Sequence, residues 1–313
     1  MDKPELLVVG VLPDWDLDAL ARRFTLRLMY EAPDAKAFVL QHGPKIRAFV
    51  TKGEIGADAE MMDACPDLGI IACYGVGVDA IDLPAAKARG IPVTNTPDVL
   101  TEEVADLAFA LLLAAARAVP EADRYVRSGE WAAQGPMRLT SRVWGKRLGI
   151  VGLGRIGQAI ARRAEAFRMP VSYSGRTKKD VPYAYYPTPA ALVPNVDILV
   201  VSAQGGPTTR GLVDRAAFEA LNPGVLFANV SRGTVLDEAA LLDALRSGRI
   251  AAAGLDVFLN EPALDPEFLT FPNVVLSPHN ASATVETRKD MGALMRANLD
   301  AHFDGKPLLT PVG

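Results

Sequence analysis

Short apolar segments rich in Val, Ile and Leu alternate along the chain with segments of helical periodicity, and this alternation constrains the fold most. Strands that are apolar throughout are buried on both faces, and the helices between them cover both sides of a parallel sheet. We therefore predict an α/β fold with two doubly wound, parallel-sheet domains. The expected strands are residues 6–12, 46–51, 68–74, 92–95, 148–151, 171–174, 197–202, 225–230, 253–257 and 273–276, with helices over 58–63 and 84–89.

Two longer helical segments indicate how the domains are connected. Residues 101–119 are rich in Ala and Leu, begin with Thr101-Glu-Glu and end before Pro120. A hydroxyl at the N-cap and acids in the first turn suit the exposed amides and positive end of a helix. We predict one long helix here that leaves the first domain and a last helix over 285–303 that returns to it. The predicted domains are 1–98 plus 287–313, and 99–286.

The charge and hydropathy of the chain limit its partners. Its 313 residues include 33 Lys and Arg against 37 Asp and Glu, a net charge of −4, with no basic tail or stripe. This pattern provides no attraction for nucleic acid or an anionic membrane surface. The longest strictly apolar stretch, 107–116, has 10 residues, whereas a membrane span needs about 20. We expect small-molecule partners, and neither nucleic acid nor a membrane.

The sequence contains two cysteines, Cys65 and Cys73, and three histidines. Two thiols cannot form a disulfide framework, and their spacing is not that of a metal site. The apolar run near the N-terminus is too short, and its flanks too acidic, for a secretion signal. We therefore expect a cytoplasmic protein without a bound metal.

The most informative local motif is Gly152-Leu-Gly154-Arg155-Ile156-Gly157, which follows one predicted strand and opens an amphipathic helix. In this context the first glycine allows a tight turn, the second lets a pyrophosphate approach the backbone, and the third lets helix and strand pack closely. The helix N-terminus adds amides and a positive field. A glycine cluster alone marks only a turn. This cluster follows a predicted strand and opens a helix, with another predicted strand after it, and that context predicts a dinucleotide site.

The residues after the next strand indicate which dinucleotide binds. An NAD site places an acid about 20 residues after the motif to bind the ribose 2′-hydroxyl, whereas an NADP site lacks that acid and has a cation near the 2′-phosphate. Here the segment is Ser174-Gly-Arg176-Thr177-Lys-Lys, and the first acid is Asp180. A guanidinium and two hydroxyls suit a phosphate. We predict a preference for NADPH over NADH; the alternative is an ordinary solvated turn.

Three later segments place polar or charged residues just beyond an apolar strand. They end in Ser231-Arg232-Gly233, Asn-Glu261-Pro and Ser-Pro-His279. Ligands of open α/β sheets bind outside the carboxyl ends of the strands, so Arg232, Glu261 and His279 are expected to converge on one crevice. Each residue alone has an ordinary interpretation in a turn or loop, but together behind a cofactor motif they predict a catalytic set.

With Tyr74-Gly-Val-Gly-Val-Asp79 and Asn95-Thr-Pro97, these motifs carry a resemblance that runs nearly end to end. The chain resembles the D-2-hydroxyacid dehydrogenases and is most similar to their glyoxylate/hydroxypyruvate reductases. The resemblance implies a flavodoxin-like substrate domain, split between the N-terminal part and the last helix, around a Rossmann-like dinucleotide-binding domain. It also implies a homodimer built on the Ala/Leu-rich helix, whose all-round apolarity calls for partners on several faces.

The resemblance implies a role for each candidate residue. Arg232, Glu261 and His279 are the implied catalytic residues, of which Arg232 and His279 also contact the substrate. Val76 and Gly77 are the implied contacts of its carboxylate, and Lys52 either attracts the anionic substrate or is a surface lysine. The implied cofactor contacts are Thr101, Gly152, Gly154, Arg155, Ile156, Gly157, Ser174, Arg176, Thr177, Val230, Ser231 and Asp256.

The reduction of a 2-oxo acid explains the residue types. Hydride transfer to the carbonyl carbon leaves negative charge on its oxygen, and imidazole, which titrates nearest to neutral pH, suits the proton donor. A carboxylate at Glu261 favours the protonated ring, and Arg232 holds the substrate carboxylate. We predict NADPH-dependent reduction of glyoxylate or hydroxypyruvate. A phenylpyruvate-type, phosphite or formate dehydrogenase and a non-catalytic, dinucleotide-sensing corepressor remain alternatives.

Overall fold

The computed structural model describes residues 3–312, and the chain forms two compact units. The first unit runs to Leu100 and resumes at Ser282, and the second is the continuous segment Thr101–Ala281. The second boundary precedes the predicted one, because the N-cap of the last helix, Thr284, goes with that helix. Between residues 3 and 312 no helix is both long and apolar enough to cross a membrane.

The first unit is built on a sheet whose described strands lie in the order β13-β5-β4-β3-β1-β2. All neighbours are parallel except the edge strand β13, which is antiparallel to β5. The order 2-1-3-4-5 is that of a flavodoxin-like doubly wound sheet. The strands, numbered in chain order, are β1 (Glu5–Val8), β2 (Thr25–Leu28), β3 (Ile46–Thr51), β4 (Ile70–Cys73), β5 (Val93–Thr94) and β13 (Pro311–Val312), and the helices are α1 (Asp14–Ala21), α2 (Ala35–His42), α3 (Ala59–Asp63), α4 (Leu83–Ala88) and α12 (Val285–Phe303).

The second unit is built on a wholly parallel sheet in the order β12-β11-β10-β9-β6-β7-β8. Counted within the unit, this is the 3-2-1-4-5-6 order of a dinucleotide-binding fold with one strand added. The strands are β6 (Leu148–Val151), β7 (Val171–Ser174), β8 (Ala184–Tyr186), β9 (Ile198–Val201), β10 (Val225–Asn229), β11 (Ile250–Leu255) and β12 (Val274–Leu276), and the helices are α5 (Thr101–Ala116), α6 (Val119–Arg127), α7 (Glu130–Gln134), α8 (Arg155–Ala166), α9 (Pro189–Leu192), α10 (Arg215–Glu219) and α11 (Glu238–Arg246).

The two parallel sheets confirm the predicted fold class. Every residue of the central strands β6, β9 and β10 is buried, and apart from Asn229 at the end of β10 these strands contain no polar side chain. Helices begin where a side chain satisfies the first turn: the oxygens of Asp58, Asp82 and Asp237 accept hydrogen bonds from the amides three residues on. Local sequence therefore determines where many helices start, and the buried strands determine the sheets.

The Ala/Leu-rich helix α5 is shorter than predicted. It ends at Ala116 rather than at residue 119, because Ala118 has a φ of 49° and Val119 begins α6. Its buried face packs on β10, β11 and α8 within the second unit, and a Cβ on Gly254 would lie 2.7 Å from Leu111 Cβ. The apolarity of α5 is therefore satisfied within its own unit and does not by itself require a second subunit.

Candidate active site

The glycine-rich turn lies between β6 and α8, and each glycine meets a different constraint. Gly152 has a φ of 93°, and a Cβ there would lie 2.5 Å from Ala203 Cα. A Cβ on Gly157 would lie 2.2 Å from the carbonyl oxygen of Gly152, so the packing of α8 on the turn also requires glycine. Gly154 precedes α8, and a Cβ there would meet no atom within 4 Å. The turn is open at Gly154, where a diphosphate can approach the backbone.

The first turn of α8 contains the predicted contacts Arg155 and Ile156. The amide of Gln158 donates to the carbonyl of Gly154 at 2.9 Å, which begins the helical hydrogen-bond pattern. The amides before it point out of the end of this 12-residue helix, where the helix dipole also favours an anion. This end of α8 fits the pyrophosphate of a dinucleotide.

Residues 175–179, here called the Arg176 loop, follow the carboxyl end of β7. The side chains of Arg176, Thr177 and Lys178 are exposed, and within residues 3–312 neither cation takes part in an ion pair. Ser174 is buried, and its Oγ has no hydrogen-bond partner among the described residues. An orphaned hydroxyl, two cations and the lack of an acid before Asp180 fit a phosphate on the adenosine ribose.

The segment that carries Arg232 is held by Asn229, the last residue of β10. Asn229 is fully buried, and its Oδ1 accepts hydrogen bonds from the amide and the hydroxyl of Ser231 at 3.1 and 2.6 Å. Nη1 of Arg232 donates to the carbonyl of Ser231 at 2.7 Å. A Cβ on Gly233 would lie 2.0 Å from the carbonyl carbon of Phe258. Glycine at this position therefore lets the segment that carries Arg232 pack on the segment that follows β11.

His279 and Glu261 form a direct pair. Nδ1 of His279 lies 2.6 Å from Oε2 of Glu261, and Oε1 accepts a hydrogen bond from the amide of Phe258 at 2.8 Å. Burial alone raises the pKa of Glu261, but the hydrogen bonds from His279 and Phe258 and the charge of Arg232 outweigh it, so the pKa lies below its ordinary value. The ionised carboxylate orients the ring and leaves Nε2 as the nitrogen available to a substrate.

The loop that carries His279 is fixed by the buried carboxylate of Asp256. Its Oδ1 accepts hydrogen bonds from the hydroxyl of Ser277 at 2.5 Å and the amide of Asn280 at 2.9 Å, and its Oδ2 accepts one from the amide of Ala281 at 3.1 Å. Its carbonyl accepts the amide of His279, which has a φ of 51°. In the structure Asp256 positions the His279 loop, and the cofactor contact that the resemblance implies at Asp256 stays a prediction.

In the first unit, the loop after β4 has carbonyl groups that are bonded and amides that are not. The carbonyl of Gly75 accepts the amide of Thr96 at 2.9 Å. That of Val76 accepts Nδ2 of Asn95, also at 2.9 Å. The amides of Gly75, Val76 and Gly77 donate no hydrogen bond within the described part of the chain. Three successive amides without an acceptor leave donors available to an anion, and the role of Asn95 in holding this loop was not foreseen from the sequence.

Lys52 follows β3 and is half-buried, unlike a fully solvated surface lysine. Burial lowers the pKa of its ammonium group, and the charge of Arg288 acts in the same direction against that of Glu54. A Cβ on the next residue, Gly53, would lie 2.1 Å from the carbonyl oxygen of Gly77. The backbone beside Lys52 thus contacts the loop whose amides are free.

The remaining predicted contacts lie at the ends of their elements. Thr101 is the first residue of α5, and Val230 and Ser231 are buried just beyond β10. Across residues 3–312 no group of three His, Cys, Asp or Glu side chains could hold a metal ion. Asn229 is a positioning residue that sequence reasoning missed, and the available signal was a polar residue at the end of a buried strand. Asp256 was named from the resemblance, but as a cofactor contact and not as a positioning residue.

Comparisons with known proteins agree with this geometry. The model of the D-isomer specific 2-hydroxyacid dehydrogenase NAD binding domain matches residues 109–281. Glyoxylate/hydroxypyruvate reductase A of Arabidopsis thaliana is 50% identical over 313 residues, 100% of both chains. Hydroxyphenylpyruvate reductase of Plectranthus scutellarioides is 48% identical over 294 residues, 94% of each. The structure of an NADPH-dependent glyoxylate/hydroxypyruvate reductase from Sinorhizobium meliloti in complex with NADP and malonate matches with a TM-score of 0.92 at 41% identity, over 100% of this chain and 97% of that one.

Proposed function

The chain belongs to the D-isomer specific 2-hydroxyacid dehydrogenase family, which makes it an NAD(P)-dependent oxidoreductase, and we propose that it reduces glyoxylate and hydroxypyruvate with NADPH. The observation that carries this proposal is the contact between His279 Nδ1 and Glu261 Oε2, which lie 2.6 Å apart. The charge of Arg232 also lowers the pKa of Glu261. These groups follow the carboxyl ends of β10, β11 and β12, in the unit with the dinucleotide turn.

The residues of the chain divide the work of the reaction. NADPH, when bound at the dinucleotide turn, would supply the hydride for the new C–H bond at the substrate carbonyl carbon and would leave as NADP+. Nε2 of His279 donates a proton to the carbonyl oxygen, so that the C=O group becomes CH–OH. Glu261 stabilises the charged ring before this transfer and orients it. Arg232 binds the substrate carboxylate and polarises the carbonyl.

The first unit also offers candidate contacts for the substrate carboxylate. We assign the free amides of Val76 and Gly77 to the substrate carboxylate, because consecutive unpaired amides bind oxyanions well. Half-buried Lys52 adds positive charge near the same loop. We expect Lys52→Met to raise the KM for glyoxylate severalfold, because an attractive charge is lost, with little change in kcat. An unchanged KM would mean that Lys52 does not attract the substrate.

Removal of His279 tests the catalytic assignment. General acid catalysis contributes about 10²–10⁴-fold to rates. We expect His279→Ala to lower kcat by this range while the Kd for NADPH changes less than about twofold, since the dinucleotide turn is untouched. Wild-type turnover in this variant would contradict the assignment. Turnover by the wild-type protein also distinguishes an enzyme from a dinucleotide-sensing corepressor.

The preference for NADPH rests on the orphaned Ser174 hydroxyl and the exposed Arg176 guanidinium. We expect kcat/KM to be higher with NADPH than with NADH, and Arg176→Ala to remove most of the difference because a charge-assisted contact to the 2′-phosphate is lost. An equal or higher value with NADH in the wild-type enzyme would overturn the preference.

The second candidate substrate class is arylpyruvates, which the similarity to hydroxyphenylpyruvate reductase favours. A panel of glyoxylate, hydroxypyruvate, pyruvate and phenylpyruvate, followed by loss of NADPH absorbance, separates the two classes. We expect glyoxylate and hydroxypyruvate to give the highest kcat/KM. A clear preference for phenylpyruvate would replace the first candidate with the second.

We also propose a homodimer. Large apolar side chains are exposed after α5 at Val119, Val126, Trp131 and Leu139, the last with 96% of its surface accessible. Exposed apolar side chains gathered in one segment are typical of an interface, and a second copy presents the same segment. We expect light scattering to give twice the mass of the chain, and Leu139→Asp to shift it to the monomer. Leu309→Asp, at an exposed leucine of the first unit, is the control.

We further propose that the protein acts in the cytoplasm. Both cysteines, Cys65 and Cys73, are buried free thiols, which suits a reducing compartment. Fractionation of cells with an antibody against the protein tests this, and recovery outside the cytoplasmic fraction would contradict it.

A further inference from the structure

Two tyrosine hydroxyls bracket the Arg176 loop. Tyr173 of β7 and Tyr185 of β8 are directly opposed in the parallel register, with ring centroids 5.4 Å apart. The hydroxyl of Tyr173 accepts a hydrogen bond from the amide of Lys179 at 2.6 Å. The hydroxyl of Tyr185 donates to the carbonyl of Gly175 at 3.2 Å. The first and last residues of the loop are therefore held through the side chains of neighbouring strands.

These two hydrogen bonds restrain the backbone of the loop and leave its side chains free. Gly175 faces open space, and the side chains from Arg176 to Lys179 are exposed. The ring of Tyr173 is fully buried, whereas that of Tyr185 is partly accessible. The pairing of β7 with β8 is complete without the hydroxyls, because the backbone register already joins Ser172 to Ala184. The hydroxyls thus act on the loop rather than on the sheet.

We propose that Tyr173 and Tyr185 are positioning residues that set the preference for NADPH by holding the Arg176 loop ready for the 2′-phosphate. This inference rests on the proposed cofactor preference. A loop that is ordered in advance loses less conformational entropy when its cations bind a phosphate dianion. The orphaned hydroxyl of Ser174, the last residue of β7, directly precedes the same loop.

A merely structural role makes a different prediction. If the tyrosines only stabilised the edge of the sheet, loss of a hydroxyl would weaken binding of NADPH and NADH alike. If they position the loop, only ligands that carry the 2′-phosphate are affected. Adenosine 2′,5′-bisphosphate and AMP isolate this difference, because they differ in the 2′-phosphate alone.

The experiment compares three isosteric variants, Tyr173→Phe, Tyr185→Phe and Tyr183→Phe. Tyr183 is the matched control, since its hydroxyl donates to Glu165 Oε1 at 2.6 Å and does not contact the loop. Calorimetry gives the Kd of NADPH, NADH, adenosine 2′,5′-bisphosphate and AMP for each. We expect Tyr173→Phe and Tyr185→Phe each to raise the Kd of the two 2′-phosphorylated ligands about fivefold, the loss of one ordinary hydrogen bond. NADH and AMP should stay within about twofold of wild type.

Other outcomes overturn the inference. Equal weakening of all four ligands, or no change in any, removes the positioning role. If Arg176→Ala abolishes the NADPH preference and neither tyrosine variant alters it, the cofactor proposal stands and the positioning role fails. If the wild-type protein binds NADPH no more tightly than NADH, both fail together. Should Tyr173→Phe not fold, Tyr185→Phe at the partly accessible position carries the same test.

Discussion

One carboxylate, Glu261, connects the backbone of the second unit to the proposed proton donor. Its two oxygens have separate partners, the Phe258 amide at 2.8 Å and His279 Nδ1 at 2.6 Å. The first contact fixes the direction of the carboxylate, and the carboxylate then fixes the ring. The same contacts hold the pKa of Glu261 down despite its burial, so that this group is ionised wherever the enzyme is folded and near neutral pH.

Glu261→Gln tests the role of this carboxylate. A folded-state pKa below the ordinary 4.5 means that the carboxylate stabilises the fold fully above that value and loses its contribution as the pH falls through the lower folded value. We expect the wild-type advantage in free energy of unfolding, measured with urea, to shrink as the pH falls below the ordinary value of 4.5. At neutral pH, kcat should fall about 10–100-fold, since part of the general acid contribution is lost.

Glu238→Gln is the control for this substitution. Oε2 of Glu238 accepts the amide of Leu259 at 2.9 Å, so it holds the neighbouring amide without touching His279. We expect kcat close to wild type in Glu238→Gln. An equal loss of kcat in Glu261→Gln and Glu238→Gln would mean that Glu261 only holds the backbone in place.

Among the secondary-structure elements, the sequence predicts the strands that are buried on both faces and misses edge strands that are partly exposed. The bounds of β6, β7 and α12 were predicted to the residue, and of these β6 is the strand whose every residue is buried. The strands β2 and β8 were missed: both are edge strands with no fully buried residue, so neither shows an apolar run. The Tyr185 contact to the Arg176 loop depends on β8, and therefore could not be foreseen.

The candidate site shows the same limit. Residues recognisable by type and position, such as Arg232 and His279, could be proposed from the sequence. Which oxygen of Asp256 meets which amide depends on the path of the loop from residue 277 to residue 281, and no periodicity encodes that path. The role of Asn95 could not be predicted from its motif, because its hydrogen bond to the carbonyl of Val76 joins segments 19 residues apart.

Gly233→Ala tests the packing of the Arg232 segment on the segment after β11. The added methyl would lie 2.0 Å from the carbonyl carbon of Phe258, which is backbone and cannot rotate away. We expect a loss of about 2–3 kcal/mol in the free energy of unfolding, the range of an overpacked contact, and a kcat reduced at least tenfold. Gly175→Ala is the control for the unfolding measurement alone, since its methyl would meet no atom within 4 Å. A Gly233→Ala enzyme with wild-type kcat would show that the two segments need not touch.

At the scale of the whole molecule, net charge and ligand charge have the same sign. The chain carries −4, and both proposed ligands, NADPH and a 2-oxo acid, are anions. Attraction must therefore come from local groups: Arg176 and Lys178 on the exposed loop, Arg232 after β10, and half-buried Lys52. Such groups act over short distances, because about 0.1 M salt screens exposed charges beyond roughly 10 Å.

This arrangement predicts a salt dependence that differs between the two nicotinamide cofactors. The 2′-phosphate adds up to about two negative charges opposite exposed cations, whereas the pyrophosphate common to both cofactors meets backbone amides at the end of α8. Raising KCl from about 20 to 500 mM should lower kcat/KM for NADPH about threefold more than for NADH, since screening acts mainly on exposed pairs. In Arg176→Ala the two slopes should converge. Parallel slopes in the wild-type enzyme would place NADPH selectivity in buried contacts, such as the hydroxyl of Ser174, rather than in the exposed cations of the loop.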